Sequence, residues 1–269
     1  MSKLKQALEK AKKDRGEFER GKVQRIEPVD SQTEHATQAQ DKPLKPVYSS
    51  TKVIQCDADL LNRNRVVSVC TRDEADRLKI LRTQILNTMS KEGKNTLMIT
   101  SANPGEGKTL TAINLAISFS HQFNKTVLLV DGDIRKPTIH KYLGLEDGAG
   151  LADCLVDKKS MTDGLVNPGM DRIVILRGGR PHTNSAELLG SERMKALLKE
   201  MKERYPERFI IFDTSPVLTS ADPLVLANLV DGILLVVEAE KTKKEDVQKV
   251  LEMFKNKPVI GTVFNKSLD

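Results

Sequence analysis

The stretch Thr96–Thr109, Thr-Leu-Met-Ile-Thr-Ser-Ala-Asn-Pro-Gly-Glu-Gly-Lys-Thr, limits what this chain can fold into more tightly than any other. Its apolar start, Leu97 to Ile99, reads as a buried strand, and the glycine-bearing loop behind it opens a helix over Leu110 to Phe119. Strand, loop and helix in that order make a phosphate-binding loop. Small residues let successive backbone N–H groups turn inward on a polyphosphate, and the positive end of the helix favours the same anion. Pro104, Gly105, Glu106 and Gly107, with Leu110 behind them, are therefore candidates to hold a nucleotide. Lys108 can reach the β- and γ-phosphates, and the Thr109 hydroxyl can ligate Mg²⁺. Ala102 stands where the general Gly-x-x-x-x-Gly-Lys-Ser/Thr pattern has its first glycine.

Strand-like apolar runs recur after this loop. Thr126–Val130, Arg172–Leu176, Phe209–Phe212, Gly232–Val237 and Val259–Phe264 read as strands. Between them the spacing predicts helices: a short one from Pro137 through Tyr142, helix within Ser185–Glu203, and another over Lys243–Phe254. Ahead of the loop, Asp73–Ser90 carries a helical stripe of Ala75, Leu78, Leu81 or Ile80, Ile85 and Met89, with Asp73 as its cap and Gly93 as its stop. Alternation of this kind predicts an α/β fold: a mostly parallel sheet with helices on both faces, forming one domain over residues 51–269. The apolar pieces between Thr51 and Arg72 are expected to lie against that domain.

In such sheets ligands bind at the carboxyl ends of the strands, and the polar clusters fall there. Asp131 and Asp133 follow Val-Leu-Leu-Val, and two carboxylates beside a phosphate loop suit Mg²⁺, directly or through its waters. Asp213 follows Phe-Ile-Ile-Phe, the place of the aspartate that partners the metal in nucleotide-hydrolysing folds. Asn265 ends the last strand, where its amide either reads a base edge or serves a turn. For phosphoryl transfer, Lys108, Mg²⁺ and Arg135 can supply positive charge, and Asp133 is the candidate base. Transfer to water and transfer to a hydroxyl both remain open on these residues.

Composition places the rest. The net charge of +6 is concentrated in Met1–Arg25, with nine basic and four acidic residues, leaving 34 basic against 33 acidic beyond. A face built to neutralise nucleic-acid phosphates is not indicated. Residues 1–22 hold Leu4, Ala7, Leu8 and Ala11 at helical spacing among lysines, a basic amphipathic helix that is either solvated or docks on a partner or an anionic membrane surface. Residues 23–50 are polar with Pro43 and Pro46 and read as a flexible linker. The absence of an export-type leader reads as cytoplasmic, and the unpaired spacing of Cys56, Cys70 and Cys154 as reduced thiols.

Taken together, the motifs resemble the bacterial tyrosine kinases of the exopolysaccharide chain-length system, the BY-kinases, over about Asp73 to Asn265. Ser101–Thr109 looks like their Walker A, Val127–Pro137 like their Walker A′ and Ile210–Pro216 like their Walker B; Gly178-Gly179-Arg180-Pro181 and Glu187-Leu188-Leu189 with Ser191 belong to the same pattern. The resemblance implies a P-loop NTPase fold related to partition ATPases, ATP with Mg²⁺, and tyrosine autophosphorylation between neighbouring subunits of a homo-oligomeric ring. It also implies activation by a membrane-embedded polysaccharide co-polymerase, which would hold the protein at the inner face of the membrane. Lys108 and Thr109 become nucleotide and metal contacts, Asp131 and Asp133 metal and catalytic groups, and Asp213 the Walker B aspartate.

Two features depart from that family. Its Glu-x-x-Arg-x-x-Arg ring motif aligns with Asp76, Lys79 and Arg82, and its tyrosine cluster has no counterpart in the four residues after Asn265. The tyrosines are Tyr48, Tyr142 and Tyr205; the latter two are expected to pack, which leaves Tyr48 in the linker as the acceptor. A second reading is a switch resembling the MinD/ParA ATPases, which recruits partners without phosphorylating them. Those proteins carry an additional lysine early in the loop, and Ser101–Asn103 has none.

Overall fold

The computed structural model describes residues 51–66, 72–89, 94–122, 125–205 and 207–267. The amphipathic helix, the linker with Tyr48, Cys70 and Gly93 lie outside them. Among the described residues eight strands form one sheet: β1 (Lys52–Val53), β2 (Thr96–Ser101), β3 (Thr126–Asp131), β4 (Leu165–Asn167), β5 (Ile173–Leu176), β6 (Arg208–Asp213), β7 (Gly232–Glu238) and β8 (Val259–Asn265). Their spatial order is β1-β4-β5-β3-β6-β2-β7-β8, parallel throughout except where β4 meets β5.

The central strands are uninterrupted apolar runs because both faces are buried. Successive residues of β2 show this: Leu97 and Ile99 join one apolar cluster while Met98 joins the other, and in β3 Val127 and Leu129 divide from Leu128 and Val130 in the same way. The period-two alternation of a strand sends neighbours to opposite faces, so a sheet covered twice keeps its strand interiors largely apolar and its polar residues mostly toward the strand ends.

Helices supply the cover. On one side stand α1 (Ala58–Arg63), α2 (Arg72–Met89) and α3 (Lys108–Ser120), which place Leu61, Ile85, Met89, Ala112, Leu115, Ala116 and Phe119 in one cluster. Two short helices follow β3, α4 (Ile139–Leu143) and α5 (Leu151–Val156), and then α6 (Met161–Gly164). The opposite cluster takes Met194, Leu197, Leu198, Met201, Leu226, Val250 and Phe254 from α8 (Glu192–Glu203), α9 (Asp222–Leu226), α10 (Lys244–Met253) and the residue after α10, with Leu189 from α7 (Ser185–Leu189).

Several expectations shift. The stripe of α2 runs through Leu81, since Ile80 is 61% exposed. Asp73 lies in its first turn rather than at its cap, where it still meets the positive end of the helix. The helix after β3 begins at Ile139 rather than at Pro137. The Ser185–Glu203 region is two helices, because Gly190 closes α7 and the Ser191 hydroxyl caps α8 by accepting from the Met194 amide. β1, β4 and α9 are short and lack a periodic signal. Cys56 and Cys154 are free thiols, and no helix among the described residues is long and apolar enough to cross a membrane.

Candidate active site

Parallel pairing brings the carboxyl ends of β2, β3, β6, β7 and β8 to one edge of the sheet. Asp131 is the register partner of Asp213 on the adjacent strand, and Ile99, which leads into the phosphate loop, is the partner of Asp213 on its other side. Register alone therefore puts two carboxylates at the mouth of the loop.

The loop itself is set by two glycines with left-handed backbones, Gly105 at φ +84° and Gly107 at φ +93°. A Cβ at Gly107 would also stand 2.0 Å from Asn265 Nδ2, so only glycine fits. Gly107 precedes α3 and, having no side chain, offers that helix start no cap of its own. The first amides of a thirteen-residue helix are thus left for an anion.

Lys108 is the centre of the charged cluster. Its Nζ lies 3.5 Å from Asp133 Oδ2 and 3.6 Å from Asp213 Oδ1, and it donates to the Thr109 hydroxyl at 3.2 Å. Thr109 in turn donates to Asp213 Oδ2 at 2.7 Å. One oxygen of Asp131 accepts the amides of Thr138 and Ile139, both at 2.9 Å, which fixes the start of α4. Asp133 accepts the Lys136 amide at 3.1 Å, and at 7% exposure it is the more accessible of the two β3 carboxylates, Asp131 being fully buried.

Burial opposes the charge on Lys108, but the carboxylates of Asp213, Asp133 and Asp131 outweigh it and raise its pKa above the ordinary lysine value. Burial and the nearby Asp213 push Asp131 up to about 8. Asp213 is also raised, by burial above all, although Lys108 and the Thr109 hydroxyl pull the other way. Three carboxylates share one ammonium, so the cluster lacks positive charge. Asp131 Oδ1 and Asp213 Oδ1 are buried and accept no hydrogen bond among the described residues, although the Lys108 ammonium stands 3.6 Å from the latter. Among the described residues no three acidic, His or Cys side chains converge into a metal cage of their own; the hard oxygens of Asp131, Asp133, Asp213 and Thr109 suit Mg²⁺ held partly through its waters and phosphate oxygens.

A cavity of about 550 Å³ opens beside Lys108. Pro104, Gly105, Gly107, Lys108, Thr109, Asp133 and Arg135 line it. Arg135 is exposed and donates to the Thr183 carbonyl at 3.2 Å. Glu106 and Leu110 do not line this cavity. Leu110 and Asn265 lie along a groove on the other side of the loop, and Asn265 Nδ2 donates to the Glu106 carbonyl at 2.9 Å. Glu106 is buried and turns its carboxylate to the Thr242 hydroxyl at 2.6 Å.

Sequence reasoning missed Lys136, Thr138, Thr219 and Ser220 as lining residues, and took Tyr142 for packing alone; it packs on the core and lines the cavity too. The position of Thr138 beside the Asp131-bound turn was readable from the motif. Thr219 and Ser220 sit in a loop with no pattern of its own.

Of the ring-motif positions, Asp76 and Lys79 pair at 2.7 Å on the exposed face of α2, while Arg82 donates to the Ser118 carbonyl of α3. Tyr205 is 39% exposed, with the Arg208 guanidinium 3.9 Å over its ring.

This fold and loop define a P-loop nucleotide-binding domain of ParA type, and the ParA family model, described as a NUBPL iron-transfer P-loop NTPase, matches residues 92–268. Among relatives, the tyrosine-protein kinase YwqD of Bacillus subtilis is 39% identical over 194 residues, covering 71% of this chain and 80% of that one. The putative tyrosine-protein kinase CapB of Staphylococcus aureus is 29% identical over 194 residues, covering 71% and 84%. The crystal structure of the chimerical protein CapA2B2 superposes with a TM-score of 0.70 at 27% identity, covering 81% of this chain and 94% of the other. The chain belongs to the bacterial tyrosine-protein kinases.

Proposed function

We propose that this site transfers the γ-phosphoryl group of ATP to a tyrosine hydroxyl, and that the protein is an autokinase acting in exopolysaccharide or capsule assembly. The observation that carries the reading is the Lys108 cluster: one ammonium, three carboxylates with two buried oxygens that accept no hydrogen bond among the described residues, and a phosphate loop, all at one sheet edge. The family supports tyrosine as the acceptor.

In this reading the loop amides and the start of α3 hold the phosphates, and Lys108 offsets their charge. Thr109, Asp131, Asp133 and Asp213 would hold Mg²⁺, which, when bound, neutralises the charge that develops on the transferred group. Asp133, the more accessible carboxylate, takes the proton of the tyrosine hydroxyl as its oxygen bonds to the γ-phosphorus and the bond to the ADP oxygen breaks. Arg135 adds charge at the rim.

The same reading places the protein in the cytoplasm, as a homo-oligomer formed through the exposed face of α2. A membrane-embedded co-polymerase is its activator, and residues 1–22 add a contact at the membrane surface. These points rest on the family resemblance and on the Asp76–Lys79 face.

The test is phosphate transfer from MgATP to a tyrosine-rich copolymer, read with an anti-phosphotyrosine antibody beside Lys108→Ala. Wild-type signal that falls about a hundredfold or more in the variant supports the reading. ATP hydrolysis without phosphotyrosine overturns it in favour of a MinD/ParA-like switch.

A further inference from the structure

A second network stands behind the phosphate loop, on segments that supply nothing to the Lys108 cavity. Glu106 Oε1 accepts from the Thr242 hydroxyl at 2.6 Å, and that hydroxyl accepts from the Glu238 amide at 3.0 Å. The Glu238 carboxylate pairs with Lys266 at 3.2 Å, and Lys266 Nζ donates to the Gly105 carbonyl at 2.8 Å. The chain of contacts thus leaves the loop at Glu106 and returns to it at Gly105. Asn265 adds its bond to the Glu106 carbonyl.

The peptide geometry gives this circuit a consequence. In a trans peptide the C=O of one residue and the N–H of the next point in opposite directions. Lys266 and Asn265 hold the carbonyls of Gly105 and Glu106 toward the end of β8, so the amides of Glu106 and Gly107 face the opposite side, toward the cavity that Gly105, Gly107, Lys108 and Thr109 line. Those amides are the donors an anion needs. Glu106 in turn depends on Thr242. Among the described residues its Oε2 is buried without a partner, and its other near donor, Asn103 Nδ2, is 3.5 Å away and closer to Asp246, at 3.0 Å.

We infer that Thr242, on the turn between β7 and α10, is a positioning residue for nucleotide binding. It holds the buried Glu106 carboxylate, and through it the phosphate loop, in the form whose amides face the anion. The inference rests on the nucleotide-binding reading of the loop, and it adds that β7, α10 and β8 set ATP affinity from behind. It is independent of which acceptor receives the phosphate.

The experiment compares wild type, Thr242→Val and Thr242→Ser by calorimetric titration with MgATP, by steady-state kinetics and by thermal melting without nucleotide. Thr242→Val is expected to raise Kd and KM for ATP about tenfold with kcat changed less than about twofold. Thr242→Ser, which keeps the hydroxyl, is expected to restore affinity. Unchanged Kd in Thr242→Val, or a lowered melting temperature with no change in affinity, overturns the inference. Wild-type protein that binds no nucleotide overturns the site reading along with it. Should Thr242→Val fail to fold, Lys266→Met severs the other end of the circuit at a side chain 45% exposed; weaker MgATP binding there supports the circuit, and wild-type affinity refutes it.

Discussion

Asp231 illustrates how one residue can organise chain segments that lie far apart. Its Oδ2 accepts the amides of Asn95 and Thr96, the Thr96 hydroxyl, and Lys202 Nζ at 3.1 Å, which joins the starts of β2 and β7 to α8. Burial raises its pKa, but the bonds from Thr96, Lys202 and Asn95 outweigh burial and hold it below the ordinary aspartate value. A carboxyl whose folded pKa is depressed stabilises the protein above its unfolded pKa, near 3.9, and loses that contribution as pH falls through the folded value. Asp231→Asn is therefore expected to cost about 1–3 kcal/mol near neutral pH. The gap from wild type narrows as pH falls from about 5 to about 3. Denaturant titrations across that range check this; a gap independent of pH contradicts it. At this same scale the clustered carboxylates and Lys108 were legible in the sequence, because each ends an apolar strand or sits in a motif. The partner of Glu106 was not, since Thr242 is 136 residues away in the chain.

Among elements, the phosphate loop and α3 form one unit whose shape depends on Gly107. Its left-handed φ and the 2.0 Å approach of Asn265 to the space a Cβ would fill exclude side chains. Gly107→Ala is expected to weaken MgATP binding by about tenfold or more, because strain of about 1–3 kcal/mol shifts the loop amides off the anion. The melting temperature should fall by no more than the few degrees that this strain accounts for, since α3 and the central strands keep their contacts. Calorimetric titration alongside a melting curve separates the two. The long strands and α2, α3 and α10 were readable because apolar runs or helical stripes persist through them. β4 was not: three residues carry no period, and its antiparallel pairing with β5 is settled by the tertiary fold. The break between α7 and α8 was visible in hindsight as Gly190-Ser191, a stop followed by a cap.

For the whole molecule, topology does the assembly. Parallel strands in the order found carry Ser101, Asp131, Asp213, Glu238 and Asn265 to one edge, from positions spread over most of the described chain. The sequence made the class of sheet legible, and with it the edge where chemistry would sit. Which residues close round the loop from behind, and which line the far wall of the cavity, depended on the strand order, which no local pattern encodes. The central claim is that this edge phosphorylates tyrosine, and within this sequence we propose Tyr48, which lies outside the described residues, as the acceptor, since Tyr205 is partly covered by Arg208 and Tyr142 packs on the core. Mass-spectrometric peptide mapping after incubation with MgATP tests it most directly, with Asp133→Asn alongside. The account predicts phosphotyrosine at Tyr48 in the wild type and none in the variant. Nucleotide hydrolysed with no phosphate on any tyrosine would contradict it.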